Sequence, residues 1–403
     1  MRAPLTVTLL TALLAACSQT PTPAPDVTGS AEGLAAQARS TCRLPAIPSV
    51  IRAVRFDPSY AYGLGLDATQ LSAQLVDAWA REGVNTAYVL VYNPTYGARY
   101  RTTYANNVVE SWGQQDLLGE LLRAAAPRGI QVIAWVYDFR HAGALAANPD
   151  WTSRRADGQG YEESFDRAFM TLGSSAAETW YQGFLKDLLT RYPALSGVDL
   201  AEPVVNWWGA QADYSAASTA AFQKAYPGQA VGGDTWRTWR AAQLSAHLAR
   251  SARTVRSLCK RVHVTTTLTA APDGTLMTPA TVARETGFDL NAVLGSADRP
   301  DVLNAELIWQ QWKAEYGAAV FTPDWTGAAT RQALAQVAGR ARLAVHVETT
   351  PFGAVVPSDA DTQAALRAAS AAGASALDVY DSTVLDSSSP WASVYAPLTA
   401  QAR

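Results

Sequence analysis

Three observations predict an α/β fold, a (β/α)8 TIM barrel behind an N-terminal targeting segment and a disordered tether. From residue 50 onward, short β-rich runs alternate with longer stretches of helical periodicity. The runs number eight. No Gly-x-Gly-x-x-Gly follows the first run and no P-loop occurs, so the competing doubly wound nucleotide-binding sheet has no support.

At the N-terminus, Arg2 is followed by the apolar stretch 5–14, which is too short to span a bilayer, and then by Leu14-Ala15-Ala16-Cys17. This resembles a bacterial lipoprotein signal. The resemblance implies cleavage after residue 16, lipidation of Cys17 and a place in the bacterial cell envelope, anchored to a membrane and facing outside the cytoplasm. Residues 17–45 are rich in Ser, Thr, Pro and Ala and read as a flexible linker. Residues 46–403 form the barrel domain. Cys42 and Cys259 remain; in an oxidising envelope they pair as a disulfide or stay as two thiols, and sequence leaves both open.

The eight predicted strands are 51–56, 86–92, 131–137, 197–202, 261–268, 302–308, 343–349 and 376–381. Predicted helices cover 68–81, 117–126, 176–192, 236–258, 328–339 and 359–372, several opened by Asp, Ser or Thr in N-cap position. Residues 273–299 read partly as loop. No internal repeat and no Pro/Gly-rich linker divides the chain after residue 45, so one domain is expected.

Composition excludes several function classes. A formal charge of −3 removes the basic field that nucleic-acid binding needs. The four His include no His-x-x-x-His pair, and no Cys/His cluster is present, so neither a metal nor another cofactor is expected. A peptidase or esterase would want a Gly-x-Ser-x-Gly elbow, which is absent. A monomer is expected.

In such barrels the chemistry sits at the C-terminal ends of the strands. The first predicted strand ends at Asp57, the second at Asn93, the third at Tyr137-Asp138 with Arg140 beyond, and the fourth at Glu202. The sixth carries Glu306, the seventh ends at Glu348, and the eighth ends Tyr380-Asp381. Carboxylates on apolar strands are costly to bury alone, so their convergence means a site or a ring of ion pairs with Arg55, Arg140 and other arginines. Glu202 and Glu348, from the fourth and seventh strands, face across the mouth. Glycoside hydrolysis needs such a pair, one carboxyl giving a proton and the other attacking or activating water. Trp207 and Trp208 after the fourth strand and Trp309 after the sixth offer flat faces for sugar rings, whereas Trp79, Trp135 and Trp180 lie inside elements and read as core.

These residues resemble the glycosyl-hydrolase-like family 10 proteins and their TIM-barrel glycoside hydrolase relatives of bacterial envelopes. Residues 83–89 (Gly-Val-Asn-Thr-Ala-Tyr-Val) look like their second strand, 128–136 with Arg140 like the third, and 195–202 like the fourth. Asn148-Pro149-Asp150-Trp151 and Trp236-Arg237-Thr238-Trp239-Arg240 look like the segments that follow. Ala201 departs from the family's acidic pair, and the Asn usual before the acid Glu of related barrels is absent. The resemblance implies a polysaccharide hydrolase with Glu202 as general acid/base and Glu348 as nucleophile. Asp199, Asp381 and Glu306 stand as supporting or alternative carboxylates. Asp57, Asn93, Tyr137, Asp138, Arg140, Trp207, Trp208, Trp309 and Tyr380 are expected to hold substrate. The alternative is a catalytically inactive carbohydrate-binding lipoprotein on the same barrel.

Overall fold

Strands β1 (Ile51–Phe56), β2 (Thr86–Asn93), β3 (Gln131–Tyr137), β4 (Gly197–Ala201), β5 (Arg261–Thr267), β6 (Val302–Glu306), β7 (Arg342–Glu348) and β8 (Ala376–Tyr380) form a closed parallel barrel in a computed structural model of the chain. The structure describes residues 42–93, 97–102, 111–158, 168–205 and 212–380, with Tyr60 and Tyr62 as backbone only. Cys17, Trp207, Trp208 and Asp381 lie outside the described residues. Each strand pairs with its sequence neighbours, and β1 closes the ring by pairing with β2 (Ala53 with Thr86) and with β8 (Ile51 with Ala376). A two-residue antiparallel strand, Gly97–Ala98, extends the end of β2.

Side chains alternate across each strand with period two, which divides the apolar residues into two layers. Ile51, Ala53, Tyr88, Leu90, Ile133, Trp135, Tyr137, Ala201 and Val302 fill the barrel interior. Val54, Phe56, Val89, Val132 and Val264 face the surrounding helices. Gly197 is required by a close approach: a Cβ there would stand 2.6 Å from the Arg261 carbonyl oxygen of the adjacent strand.

The helices start where side chains can satisfy their first amides. Helix α1 (Ala68–Arg81) opens with a capping box between Asp67 and Gln70 and buries Leu71, Leu75 and Trp79 along one face. Ser174 caps α2 (Ser175–Arg191), and α3 (Asp234–Ser257) packs beside it. Residues 273–299, expected to be partly loop, contain two short helices, Pro279–Thr286 and Leu290–Gly295, capped by Thr278 and Asp289. Both are too short to show a periodic face, so only their caps and the Pro at the first turn mark them. Among the described residues no helix is long and apolar enough to cross a membrane.

The chain enters at the floor of the barrel, the end where the strands begin. Residues 42–50 cross it as a strap. Pro45 O accepts from Arg261 Nε (2.8 Å), Ala46 O from Gln131 Nε2 (2.6 Å), and Val50 O from Asn85 Nδ2 (2.8 Å). Arg342 donates to Pro48 O, and Ile47 packs against the interior cluster. A disulfide joins Cys42 to Cys259, with Cα atoms 5.4 Å apart and a sequence separation of 217. Closing so long a loop restricts the unfolded chain, so replacing both cysteines by Ser should cost about 2–4 kcal/mol. Thermal melting of the double variant checks this, and an unchanged Tm would mean that the strap's other bonds suffice.

Candidate active site

At the opposite end, β4, β6 and β7 bring Glu202, Glu306 and Glu348 to the mouth. Glu202 is the first residue past β4 and takes a left-handed backbone conformation (φ 52°), rare for a residue other than glycine. Its amide donates to Thr265 O (2.7 Å), which fixes this turn. Its Oε2 lies 3.1 Å from Arg140 Nη1, and Arg140 Nη2 donates to the Glu202 carbonyl (2.9 Å). The Arg140 guanidinium is itself buried, 4.4 Å over the Phe169 ring and 5.2 Å over Tyr137. A residue in a strained turn, held at its carboxylate and at its backbone carbonyl by one buried cation, is a built feature rather than a surface ion pair.

Glu306 ends β6, with the backbone of Thr267 on one side of it and of His346 on the other. It is 7% exposed, and Thr267 donates its hydroxyl to Oε2. Burial, then the negative charge of Glu202 and, more weakly, that of Glu348 push its carboxyl up to about 7, against the opposing pull of His346 and Thr267. Glu348, at the end of β7, is held by Thr350 and by His346 Nε2 (3.3 Å). Its backbone carbonyl accepts from Gln310 (2.9 Å).

Beneath Glu348 a charged column descends through the barrel. His346 Nδ1 stands 3.1 Å from Asp378 Oδ2. That same oxygen is 2.6 Å from Arg55 Nε, and Arg55 Nη1 is 2.9 Å from Asp199. Burial alone would lower the His346 pKa, but hydrogen bonds to Asp378 and Glu348 carry it up to about 9, so the imidazole is cationic near neutral pH. Burial tends to raise the Asp378 carboxyl, yet Arg55 and His346 hold it below its ordinary range. Asp199, more dominated by burial, is raised. Arg55 stacks between Tyr88 (4.6 Å) and Trp135 (5.0 Å). Asp199 thus points into the barrel as a partner of Arg55 and Thr265, one layer below the mouth.

The other expected residues divide between mouth and core. Tyr137 lies under the mouth, where burial and then the charges of Glu202, Asp57 and Glu306 oppose its ionisation and Arg140 offsets them only in part. Tyr380 packs edge-on to Trp135 (5.9 Å), which also meets Tyr137 (5.6 Å), so three rings line the barrel under the carboxylates. Asp57 is bonded to Arg99 (2.5 Å) and caps the turn at Ser59. Asn93 is buried where β2 pairs with Gly97.

Two expectations need correction. Asp138 does not face the mouth: next to the inward Tyr137, alternation turns it outward to α2 and α3. There its Oδ1 accepts from Tyr181 (3.1 Å) and meets His247 Nε2 (3.2 Å). His247 in turn bonds Glu178 (2.8 Å), and despite burial these two carboxylates raise its pKa to about 10. Trp309 is 4% exposed and sits in the layer between strands and helices, because it opens a helix, Trp309–Tyr316, whose Trp face packs inward.

Residue reading passed over His346, Arg55 as a pillar under the site, and Thr267. His346 and Arg55 are inward positions two residues before Glu348 and Asp57, which is the signal that marks them, whereas Thr267 is marked only by its pairing with Glu306 on the adjacent strand. Among the described residues no cluster of three or more His, Cys, Asp or Glu is arranged to hold a metal ion.

No family model matches the chain, and no curated protein does. Solved structures do resemble it. The glycoside hydrolase domain of PgaB (BpsB) from Bordetella bronchiseptica aligns with a TM-score of 0.64 at 15% identity, over 86% of this chain and 98% of that one. Alpha-L-fucosidase isoenzyme 2 from Paenibacillus thiaminolyticus gives 0.61 at 14% identity, over 88% of this chain and 50% of its own length. The endo-beta-1,4-mannanase from Thermotoga petrophila gives 0.51 at 11%, over 82% and 67%. At these identities the likeness establishes the fold: the chain is a (β/α)8 barrel similar to those of glycoside hydrolases.

Proposed function

We propose that the protein is a glycoside hydrolase that cleaves an envelope or extracellular polysaccharide with two carboxyl groups, acting as a monomer anchored through a lipid on Cys17. One observation carries the reading. Glu306 is a carboxylic acid with a pKa of about 7, set beside two carboxylates that each have their own cation, Arg140 for Glu202 and His346 for Glu348. Glycoside hydrolysis needs that asymmetry, one carboxyl still protonated near neutral pH and one ionised.

The roles therefore differ from those implied by family resemblance. Glu306 donates the proton to the leaving glycosidic oxygen. Glu202, whose charge acts on Glu306 more strongly than that of Glu348 and whose side chain is 22% exposed, is the anionic partner. Glu348, tied to His346 and Thr350, holds the field of the site. Tyr380, partly exposed at the end of β8, offers its ring to a sugar, backed by the buried rings of Trp135 and Tyr137. The similar structures include one named as a glycoside hydrolase domain and one named as an endo-beta-1,4-mannanase, which supports a carbohydrate substrate. The envelope location rests on the signal and is supported by the Cys42–Cys259 disulfide, a bond suited to an oxidising compartment.

The test is release of reducing ends from a panel of bacterial envelope and biofilm polysaccharides. Release by the wild type that Glu306→Gln and Glu202→Gln both lose is the expected result. Glycan binding without release, unchanged in either variant, would replace the hydrolase by a sugar-recognition protein.

A further inference from the structure

The two ends of the barrel differ in the charged groups that line them. The mouth holds Asp57, Glu202, Glu306 and Glu348. The floor is rimmed by arginines: Arg43 on the strap, Arg81 at the end of α1, Arg128 leading into β3, Arg256 in the last turn of α3, Arg299 leading into β6 and Arg340 leading into β7. Helix C-termini favour cations, which accounts for Arg81, Arg256 and Arg340, the last bonded to the Gln336 and Val337 carbonyls at the end of the helix Trp325–Val337, but Arg43 and Arg299 belong to no α-helix end. The chain as a whole is at −3, so this face is a local concentration and not a sample of a basic protein.

Three of these arginines, Arg256, Arg299 and Arg340, line one polar cleft of about 370 Å³ with Asp301. Asp301 is engaged by Arg261 (2.9 Å), by the Val262 amide (2.9 Å) and, at 3.4 Å, by Arg256 of the cleft itself. Asp77 is likewise engaged by Arg128. Arg43, Arg81 and Arg299 are exposed. The floor is also where the preceding chain joins: Cys42 is fixed there by its disulfide, and the strap is bonded to β3, β5 and β7.

We infer that the floor is a docking face for an anionic phospholipid surface, with arginines against the phosphate headgroups and the mouth turned away from the bilayer. Guanidinium groups pair phosphate oxygens in a fork, and clustered cations close to an anionic leaflet add their attraction. The orientation, though not the binding, rests on the reading of a protein anchored through its N-terminal segment. Cys42, the first described residue, is fixed on this side by its disulfide. A substrate polymer would then reach the carboxylates from the side facing away.

The test uses the chain from residue 18, which carries no lipid, so that an anchor cannot mask the result. Flotation is measured with vesicles of phosphatidylcholine alone and of phosphatidylcholine mixed with phosphatidylglycerol, at low and high salt. Binding should be confined to the mixed vesicles and fall with salt. The triple variant Arg43→Glu, Arg81→Glu, Arg299→Glu should lose it on the order of tenfold or more. A control with the same charge change on mouth-side segments, Arg155→Glu, Arg237→Glu and Lys313→Glu, should keep it, and replacing the three floor arginines by Gln should give an intermediate loss with an unchanged melting temperature. Equal partition to both vesicles, or equal loss in both Glu triples, would overturn the docking face. Release of sugars from a soluble glycan reads the hydrolase independently, and labelled fatty acid on Cys17 reads the anchor.

Discussion

Glu306→Gln should lower kcat/KM by about 10²–10⁴-fold, the usual contribution of a positioned general acid, while making the protein more stable above neutral pH. The two effects have one origin. In the folded barrel the Glu306 carboxyl has its pKa raised from 4.5 to about 7. A group whose folded pKa lies above its unfolded value stabilises fully below the unfolded pKa and loses that contribution as pH rises through the folded one. Between pH 4.5 and 7 the wild type therefore loses stability from this site, about 3 kcal/mol in all. Gln keeps the shape and does not ionise, so at pH 8 the variant should melt higher than the wild type, and the two should converge near pH 4. Activity should show an alkaline limb near pH 7 in the wild type. A substrate with a good leaving group, which needs little protonation, should rescue much of the variant's rate. A variant that loses activity and also stability at pH 8 would make Glu306 a structural residue.

Arg55→Met should be the most destabilising single change in the barrel interior, at about 3–5 kcal/mol. Arg55 is 1% exposed and bridges Asp199 and Asp378 at 2.9 and 2.6 Å, with a further bond to Thr265 (2.5 Å). Removing it strands two carboxylates in an apolar lumen, and the loss is mostly their uncompensated burial rather than the value of the pair. The triple variant Arg55→Met, Asp199→Asn, Asp378→Asn should accordingly recover most of the stability, as measured by urea unfolding. It should not recover activity, because His346 would lose Asp378, its partner on the side away from Glu348. Equal stability of the single and triple variants would sink this account.

The barrel was legible because β-branched and apolar runs bounded by caps recur at the spacing of β/α units. All eight strands lie where those runs predict, from Ile51–Phe56 to Ala376–Tyr380. The rim was legible as a set of positions, since the end of a parallel strand is a defined place. Which way a rim side chain points was less so. Tyr137 and Asp138 are adjacent, and alternation allows only one of them inside; applying that rule would have removed Asp138 from the mouth. Glu202 breaks the same rule through a left-handed turn that no residue type announces. The choice of Glu306 as the acid depends on charges from β4 and β7, more than 100 and about 40 residues away in the chain, and only the closed barrel brings them together.

The strap under the barrel also sets an order of events in folding. Residues 42–50 precede every strand, yet their partners include Gln131, Cys259, Arg261 and Arg342. β1 likewise needs β8 before the ring can close. Such contacts join the first folded residues to the last, the long-range pattern that slows folding because loop entropy is lost before the contact is gained. This contact pattern predicts that the strap's bonds form late in folding, with the Cys42–Cys259 bond closing after the strands have paired, which trapping the disulfide during refolding would check.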